Sequence, residues 1–460
     1  MKKITYYFTL IFLLAGMYAT AQFSKLYDLE LENGAGPYSN LLLHDEFLYG
    51  VTVYGGEYNN GTIFKIKPDG SNFTKIFDFN PDISGSHAYS TLISDGTFLY
   101  GMTKGDDGSS SHGTIYKIMP DGTNFSTLHS FDGANGSSPW SALLLIDDYL
   151  YGMTNYGAEG DGSIFKIRTD GTFFSTLFSF SESTTGRFPY GEFYYDGTFL
   201  YGTTAAGGTN FYGTVFKILP DGTGYTKLTD FSLDPNGNYP YGSLISDGTF
   251  LYGLTGTGGT IGYGTIFKIK PNGTDYQTIY NFSNEDGATP MDNLVAHGPF
   301  LYGMAIVGGI HNMGTLYRIK PDGTEFTKIL DFDGTTYGNY PRRSLISDGT
   351  FLYGMTSGGG ANGWGVVFKI SPEQLSNAEV SNIDDVTIYP NPSHGIFTID
   401  TGSSFYSEVE VYNVLGQLIS TQEAHARHTD INLINHESGL YVIKMTDKEN
   451  NIMHKKILKL

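Results

Sequence analysis

The ten residues "LISDGTFLYG" at Leu92–Gly101 return unchanged at Leu244–Gly253 and Leu345–Gly354, and most of them again as "YYDGTFLYG" at Tyr194–Gly202. The closing Leu-Tyr-Gly is commoner still. Its tyrosines fall at Tyr49, Tyr100, Tyr151, Tyr201, Tyr252, Tyr302 and Tyr353, seven copies spaced 51, 51, 50, 51, 50 and 51 residues apart. A fixed period near fifty marks a propeller or an array of supersecondary units. Within the second full unit, four short runs rich in β-branched and aromatic residues stand around Ser90–Ser94, Phe98–Thr103, Thr114–Met119 and Phe125–Phe131. Asp95-Gly96 separates the first pair and Asp121-Gly122 the last. Asp-Gly between such runs predicts a hairpin, because the turn needs positive φ. Four antiparallel strands per fifty residues is one propeller blade.

The ends of the array point to a closed ring. The phrase "GT(I/V)FKI" and its variants occur seven times between Gly61 and Ile370, yet the last unit stops at "GVVFKISPEQ" with no fourth strand. The first unit is preceded by an orphan, "FSKLYDL" at Phe23–Leu29, which matches the fourth-strand phrase "FTKIFDF" at Phe73–Phe79. An N-terminal strand completing the last blade explains both. The expected fold is all-β: a seven-bladed β-propeller of four-stranded blades over residues 22–372, followed by a small Ig-like β-sandwich over 386–460. Between them, 373–385 reads as a polar linker with four acids.

Composition restricts the function classes. The net charge is −20, with +2 on the first 21 residues, −4 on the linker and −2 on the C-terminal module, which leaves −16 on the repeats. Such a chain has no basic footprint for nucleic acid and no polybasic face for anionic lipid. It contains no cysteine, so thiolate nucleophiles, thiolate metal sites and disulfides are excluded. Lys2 and Lys3, the apolar run around Leu10–Ala15 and Ala19-Thr20-Ala21 predict a secretory signal over residues 1–21, read by the Sec machinery and signal peptidase. No later window is apolar for long enough to predict a transmembrane segment.

"GTIFKIKPDGSNFTKIFDF" with "LYGVTVYGG" resembles the Gloeo/Verruco tandem repeat of exported bacterial proteins, over roughly Phe23–Pro372. That resemblance implies tandem repeats and export, and no activity. The C-terminal segment resembles the type A sorting domain of the type IX secretion system. The matching residues are Tyr389, Pro390, Asn391, Pro392 and Gly395, then Gly416, then Gly439 and Tyr441, and a basic tail with Lys455 and Lys456. This resemblance implies the type IX machinery as a partner. It also implies a route through the periplasm to the outer-membrane surface or the extracellular space.

Loops joining strands one to two and three to four are monotonous, whereas those joining two to three differ in every unit. Copies that agree serve the fold; copies that differ are free to serve a ligand. Eleven residues before each Leu-Tyr-Gly tyrosine stand Tyr38, Tyr89, Trp140, Tyr190, Tyr241, Met291 and Arg342. These enter the innermost strands and should ring the channel mouth on the variable face, where aromatic rings could stack on sugars. Wedges between neighbouring blades are the structural alternative. Arg342 and Arg343 could receive an anion, or Arg343 could pair with Asp292 instead. Glu192 is an acid where the other units have Asn40, Thr91, Ala142, Ser243, Asn293 and Ser344, so Glu192 and Asp292 could form a carboxylate pair for glycoside chemistry.

No other catalytic constellation stands out. "GDDGSSSHG" and "AEGDG" fit no calcium-loop spacing, the histidines His87, His112, His297 and His311 read as surface residues without ligand spacing, and no cofactor or metal is expected. The reading is a cell-surface binding or adhesion module for glycan or protein. An extracellular polysaccharide hydrolase or lyase, and a structural surface component, stand as alternatives.

Overall fold

The computed structural model describes residues 22–372 apart from 106–110 and 158–159, and residues 387–459 apart from 390, 392, 402–405, 414–417, 424–426, 437–438 and 448–451. The expected signal segment 1–21 and the expected linker 373–385 lie outside the described residues. Two compact units result. Both are built of β-strands, and no helix among the described residues is long and apolar enough to cross a membrane.

In the larger unit each repeat forms one antiparallel sheet, and the arrangement is propeller-like. In the second repeat the strands are Ile93–Ser94, Leu99–Thr103, Thr114–Ile118 and Ser126–Ser130, hydrogen-bonded in that order. The second and third strands are buried along their length because Leu99, Tyr100, Met102, Ile115 and Tyr116 face neighbouring sheets. The first repeat adds a short strand, Ala35–Pro37, against its second strand Phe47–Tyr54. In the sheet of the last repeat, Gln22–Asp28 lies antiparallel to Val366–Ser371, with Phe23 opposite Ile370 and Asp28 opposite Val366. The orphan therefore occupies the fourth-strand position there. Asp28 also accepts from the Ala361 N–H at 2.8 Å, as Asp78 accepts from Glu57 and Asp230 from Thr209 in their own repeats.

The hydrophobic core lies between sheets. Seven clusters each join two neighbouring repeats: Tyr49, Val51 and Ile63 pack with Leu92, Leu99 and Tyr116, for example. One of the seven joins Leu41, Leu48 and Phe64 of the first repeat to Tyr353, Met355 and Val367 of the last. Each Leu-Tyr-Gly glycine sits directly across from the aromatic residue of "GT(I/V)FKI". Gly202 opposes Phe216, and a Cβ on Gly202 would come within 2.6 Å of the Phe216 ring.

The first strand is shorter than the sequence suggests: Ile93–Ser94 in place of a run from Ser90. Serine hydroxyls replace the ladder there. Ser90 Oγ accepts from the Met102 N–H at 3.0 Å, and Ser39 and Ser141 do the same for Val51 and Met153. The turn before the second strand takes its positive φ at Gly96 (93°), and at Asp45 (51°) or Asp147 (53°) where glycine is missing. Asp95 instead anchors that turn by accepting from Thr97, Phe98 and the Tyr100 hydroxyl.

The smaller unit contains a three-stranded sheet (Thr387–Tyr389, Ile396–Asp400, His428–Asn432) and a four-stranded sheet (Leu418–Glu423, Tyr406–Asn413, Gly439–Asp447, Ile452–Lys459). Phe397, Ile399 and Ile431 of the first sheet share a core with Val409, Val411, Ile443 and Ile457 of the second.

Candidate functional site

The seven register residues are aimed by a backbone device absent from the sequence reading. Each follows a residue held near φ = 55°: Gly36, His87, Ser138, Phe188, Tyr239, Thr289 and Tyr340 span 53–58°. In all but the second repeat a proline comes between, as in Phe188-Pro189-Tyr190. Left-handed geometry costs an L-residue about 1–2 kcal/mol, so surrounding bonds must enforce it. They do. The Phe188 N–H donates to Asp161 O of the preceding repeat (3.2 Å), and its carbonyl accepts from Ala205 of its own (3.0 Å). Tyr340 is bracketed likewise by Met313 and Ser357. The proline then packs on the first glycine of the preceding repeat's "GT(I/V)FKI": a Cβ on Gly314 would stand 2.7 Å from Pro341 Cδ.

So aimed, the aromatic residues touch in sequence. Ring centroids lie 5.3 Å apart for Tyr38–Tyr89, 4.2 Å for Tyr89–Trp140, 5.5 Å for Trp140–Tyr190 and 5.2 Å for Tyr190–Tyr241. The Arg342 guanidinium sits 4.9 Å from the Tyr38 ring. Tyr38, Trp140, Tyr190, Tyr241, Met291 and Arg342 line a cavity of about 260 Å³ together with Ile306 and Arg343. Tyr89 is buried, stacked on Trp140, and is not part of the lining. Lys104 adds a cation 5.1 Å from the Trp140 ring. The girdle thus joins neighbouring repeats, and its residues other than Tyr89 are half-exposed. Ile306, which sequence reasoning missed, arrives from the end of a second strand; nothing in its register marked it.

The charged residues converge more deeply. Arg343 donates from Nε to Tyr38 O (2.7 Å) and from Nη2 to Trp140 O (3.3 Å), and its Nη1 lies 3.8 Å from Asp292 Oδ1. Glu192 receives the Asn40 amide at 3.4 Å. Glu192 is half-buried. Burial, reinforced by the Asp292 charge and opposed by Arg343 and Thr91, pushes the Glu192 carboxyl up to about 7. Burial likewise raises Asp292, against the pull of Arg343. Neither carboxylate is among the residues lining the cavity.

Most of the residues at the Glu192 position form a belt. The Asn40 N–H donates to Thr91 Oγ1, Glu192 N–H to Ser243 Oγ, Ser243 N–H to Asn293 Oδ1 and Ser344 N–H to Asn40 Oδ1. Each bond reaches the corresponding residue of the next repeat, the last from repeat seven to repeat one. Ala142 supplies no acceptor.

Of the remaining candidates, His311 is exposed and His87, His112 and His297 are half-exposed, with His112 and His297 bonded to Ser137 and Ser347. Among the described residues no group of three or more His, Asp or Glu could hold a metal. Parts of "GDDGSSSHG" and "AEGDG" lie outside the described residues. In the smaller unit Tyr389 and Asn391 are exposed, and Gly395 has φ = 129°, where a Cβ would crowd the Ile434 backbone. Gly439 begins the strand in which Tyr441 is buried opposite Ile457. Lys455 and Lys456 lie on the edge strand Ile452–Lys459, while Pro390, Pro392 and Gly416 fall outside the described residues.

These features define a propeller-like, all-β tandem-repeat protein with an aromatic cavity and an appended β-module. The chain belongs to the Gloeobacter/Verrucomicrobia repeat family, whose pattern matches residues 10–160, 104–312 and 299–410. Residues 387–459 match the secretion system C-terminal sorting domain, so the protein is exported by type IX secretion to the cell surface or extracellular space. Two curated proteins share shorter stretches. An endo-acting ulvan lyase of Formosa agariphila is 36% identical over 91 residues, 19% of this chain and 18% of the lyase. Ulvan lyase NLR42 of Nonlabens ulvanivorans is 30% identical over 83 residues, 18% of this chain and 16% of the lyase. The chain thus spans under a fifth of the length of either. Among solved structures, the extracellular domain of a protein described as a hybrid two-component system, BT4673 of B. thetaiotaomicron, superposes with a TM-score of 0.53 at 13% identity. That match covers 94% of this chain and 53% of that one.

Proposed function

We propose that residues 22–372 form one seven-bladed ring closed by the N-terminal strand, and that this ring is a cell-surface binding module for glycan. Residues 1–21 are proposed as the cleaved signal, 373–385 as the linker and 386–460 as the sorting domain. The observation that carries the reading is the cavity with four aromatic residues in its wall, Tyr38, Trp140, Tyr190 and Tyr241, at the face where the repeats diverge. Flat rings give a sugar an apolar platform at small entropic cost. The rings are pre-set by enforced backbone geometry, which lowers the ordering cost of binding.

The hydrolase or lyase alternative finds less support. Glu192 and Asp292 lie near each other electrostatically, but they do not line the cavity in which a sugar would sit. The stretches shared with the ulvan lyases are shorter than two repeats. A protein ligand would use the exposed apolar residues on the variable loops, such as Phe211, Ile261, Ile310 and Trp364. A polysaccharide array probed with the full chain, Trp140→Ala and Tyr190→Ala separates these readings. The expected outcome is a saccharide signal reduced at least several-fold by either change. Binding untouched by both, or no saccharide bound at all, refutes the aromatic-mouth assignment.

A further inference from the structure

We propose that the cavity selects an acidic saccharide, a sugar ring carrying a carboxylate or sulfate, with Arg342 as the group that reads the charge. The inference rests on the glycan reading above and names its ligand class.

The two adjacent arginines are in different situations. Arg343 is committed: its donors fix the backbone of Tyr38 and Trp140, and Asp292 stands beside its charge. Arg342 is not. Among the described residues no carboxylate pairs with it, and its Nε is buried without a hydrogen-bond partner. Its guanidinium rests on Tyr38, and Arg342 is among the residues that line the cavity. A guanidinium presents five N–H donors in a geometry matched to carboxylate and sulfate oxygens.

Position argues the same way. Five of the seven register residues are aromatic, and Arg342 is the only charged one. It stands in a unit of net charge −16, where acids outnumber bases by 35 to 19. The acidic remainder repels an anion at long range, but the screening length is only about 8 Å at physiological salt, so contact with Arg342 dominates. A cavity of about 260 Å³ is smaller than the roughly 300–1,000 Å³ typical of drug-sized ligand sites. It therefore admits one sugar ring or chain end, with Trp140, Tyr190 and Tyr241 against its apolar face.

The test is calorimetric titration of the purified full chain at about 0.15 M salt. The probes are trigalacturonate, a sulfated galactotriose and neutral galactotriose, each against wild type, Arg342→Gln and Arg342→Lys. At least one acidic probe should bind about ten-fold tighter than the neutral one. Arg342→Gln should abolish that preference, and Arg342→Lys should keep part of it. The acid that binds identifies the anionic group. Neutral binding equal to or tighter than both acids, or a preference that survives Arg342→Gln, overturns this proposal alone. No binding by any probe overturns it together with the glycan reading.

Discussion

Gly202 shows how much of the repeat is decided by single atoms. Phe216 lies flat across it in the adjacent strand, so the Leu-Tyr-Gly glycine is the space into which the "GT(I/V)FKI" aromatic fits. Gly202→Ala should cost about 1–3 kcal/mol by overpacking, read as a lower urea midpoint with an unchanged slope. Glu192 makes a second prediction. Its folded pKa, about 7, lies above the unfolded value, so the native state binds the extra proton and stability falls as pH rises through that window. Glu192→Gln should match wild type near pH 5 and melt at a higher temperature than wild type near pH 8. Identical pH profiles would remove the claim that Glu192 is strained when ionised. Both residues were visible in the sequence as register positions. Their partners were not, because packing across strands and contacts across repeats have no local signature.

At the scale of the element, the hairpin turn "DGT" has an internal anchor. Asp196 accepts from Thr198 N–H at 2.8 Å, Phe199 N–H at 2.7 Å and the Tyr201 hydroxyl at 2.8 Å. Burial opposes ionisation, but these donors hold the carboxyl below its usual range. A depressed acid contributes stability above its unfolded pKa and loses it as pH falls through the folded value. Asp196→Ala should therefore cost about 1–2 kcal/mol at pH 7, and the difference from wild type should vanish near pH 2, by denaturant titration at both pH values. Strand positions were legible to within a residue for the second, third and fourth strands, whose apolar alternation is strong. The first strand was overestimated because Ser39, Ser90 and Ser141 satisfy the neighbouring backbone with hydroxyls, which resemble ordinary strand residues in sequence. The left-handed pivots before Tyr190 and Arg342 were equally hidden, since Phe188 and Tyr340 are poor residues for that conformation and bonds to distant residues of the preceding repeat and of their own impose it.

For the whole molecule, the pairing of Gln22–Asp28 with Val366–Ser371 and the contact of Leu41 with Tyr353 and Met355 tie the ends of the array together. Removing residues 22–29 would expose the edge of Val366–Ser371 and take away Leu29, which is fully buried, and the partly buried Tyr27. The loss is about 3–6 kcal/mol from two such side chains, enough to bring a marginally stable domain close to unfolding. Aggregation on a sizing column is expected, with recovery when the same strand is appended after Ser371. A truncated chain as stable as the parent would exclude the closed ring. For export, deletion of 386–460 should leave the protein in the periplasm, and continued secretion would contradict the assigned role of the sorting domain. The repeat count and the module order could be read from periodicity alone. The ligand could not, because it depends on which side chains of different repeats line one cavity.

The mouth can be read directly, because the chain has only two tryptophans, Trp140 in the cavity wall and Trp364 on an exposed loop. In a Trp364→Phe background, Trp140 is the sole indole. Titration with a saccharide that binds calorimetrically should change its emission saturably, with the same midpoint as the heat. Calorimetric binding with no change in Trp140 emission would place the ligand elsewhere on the protein and contradict the account.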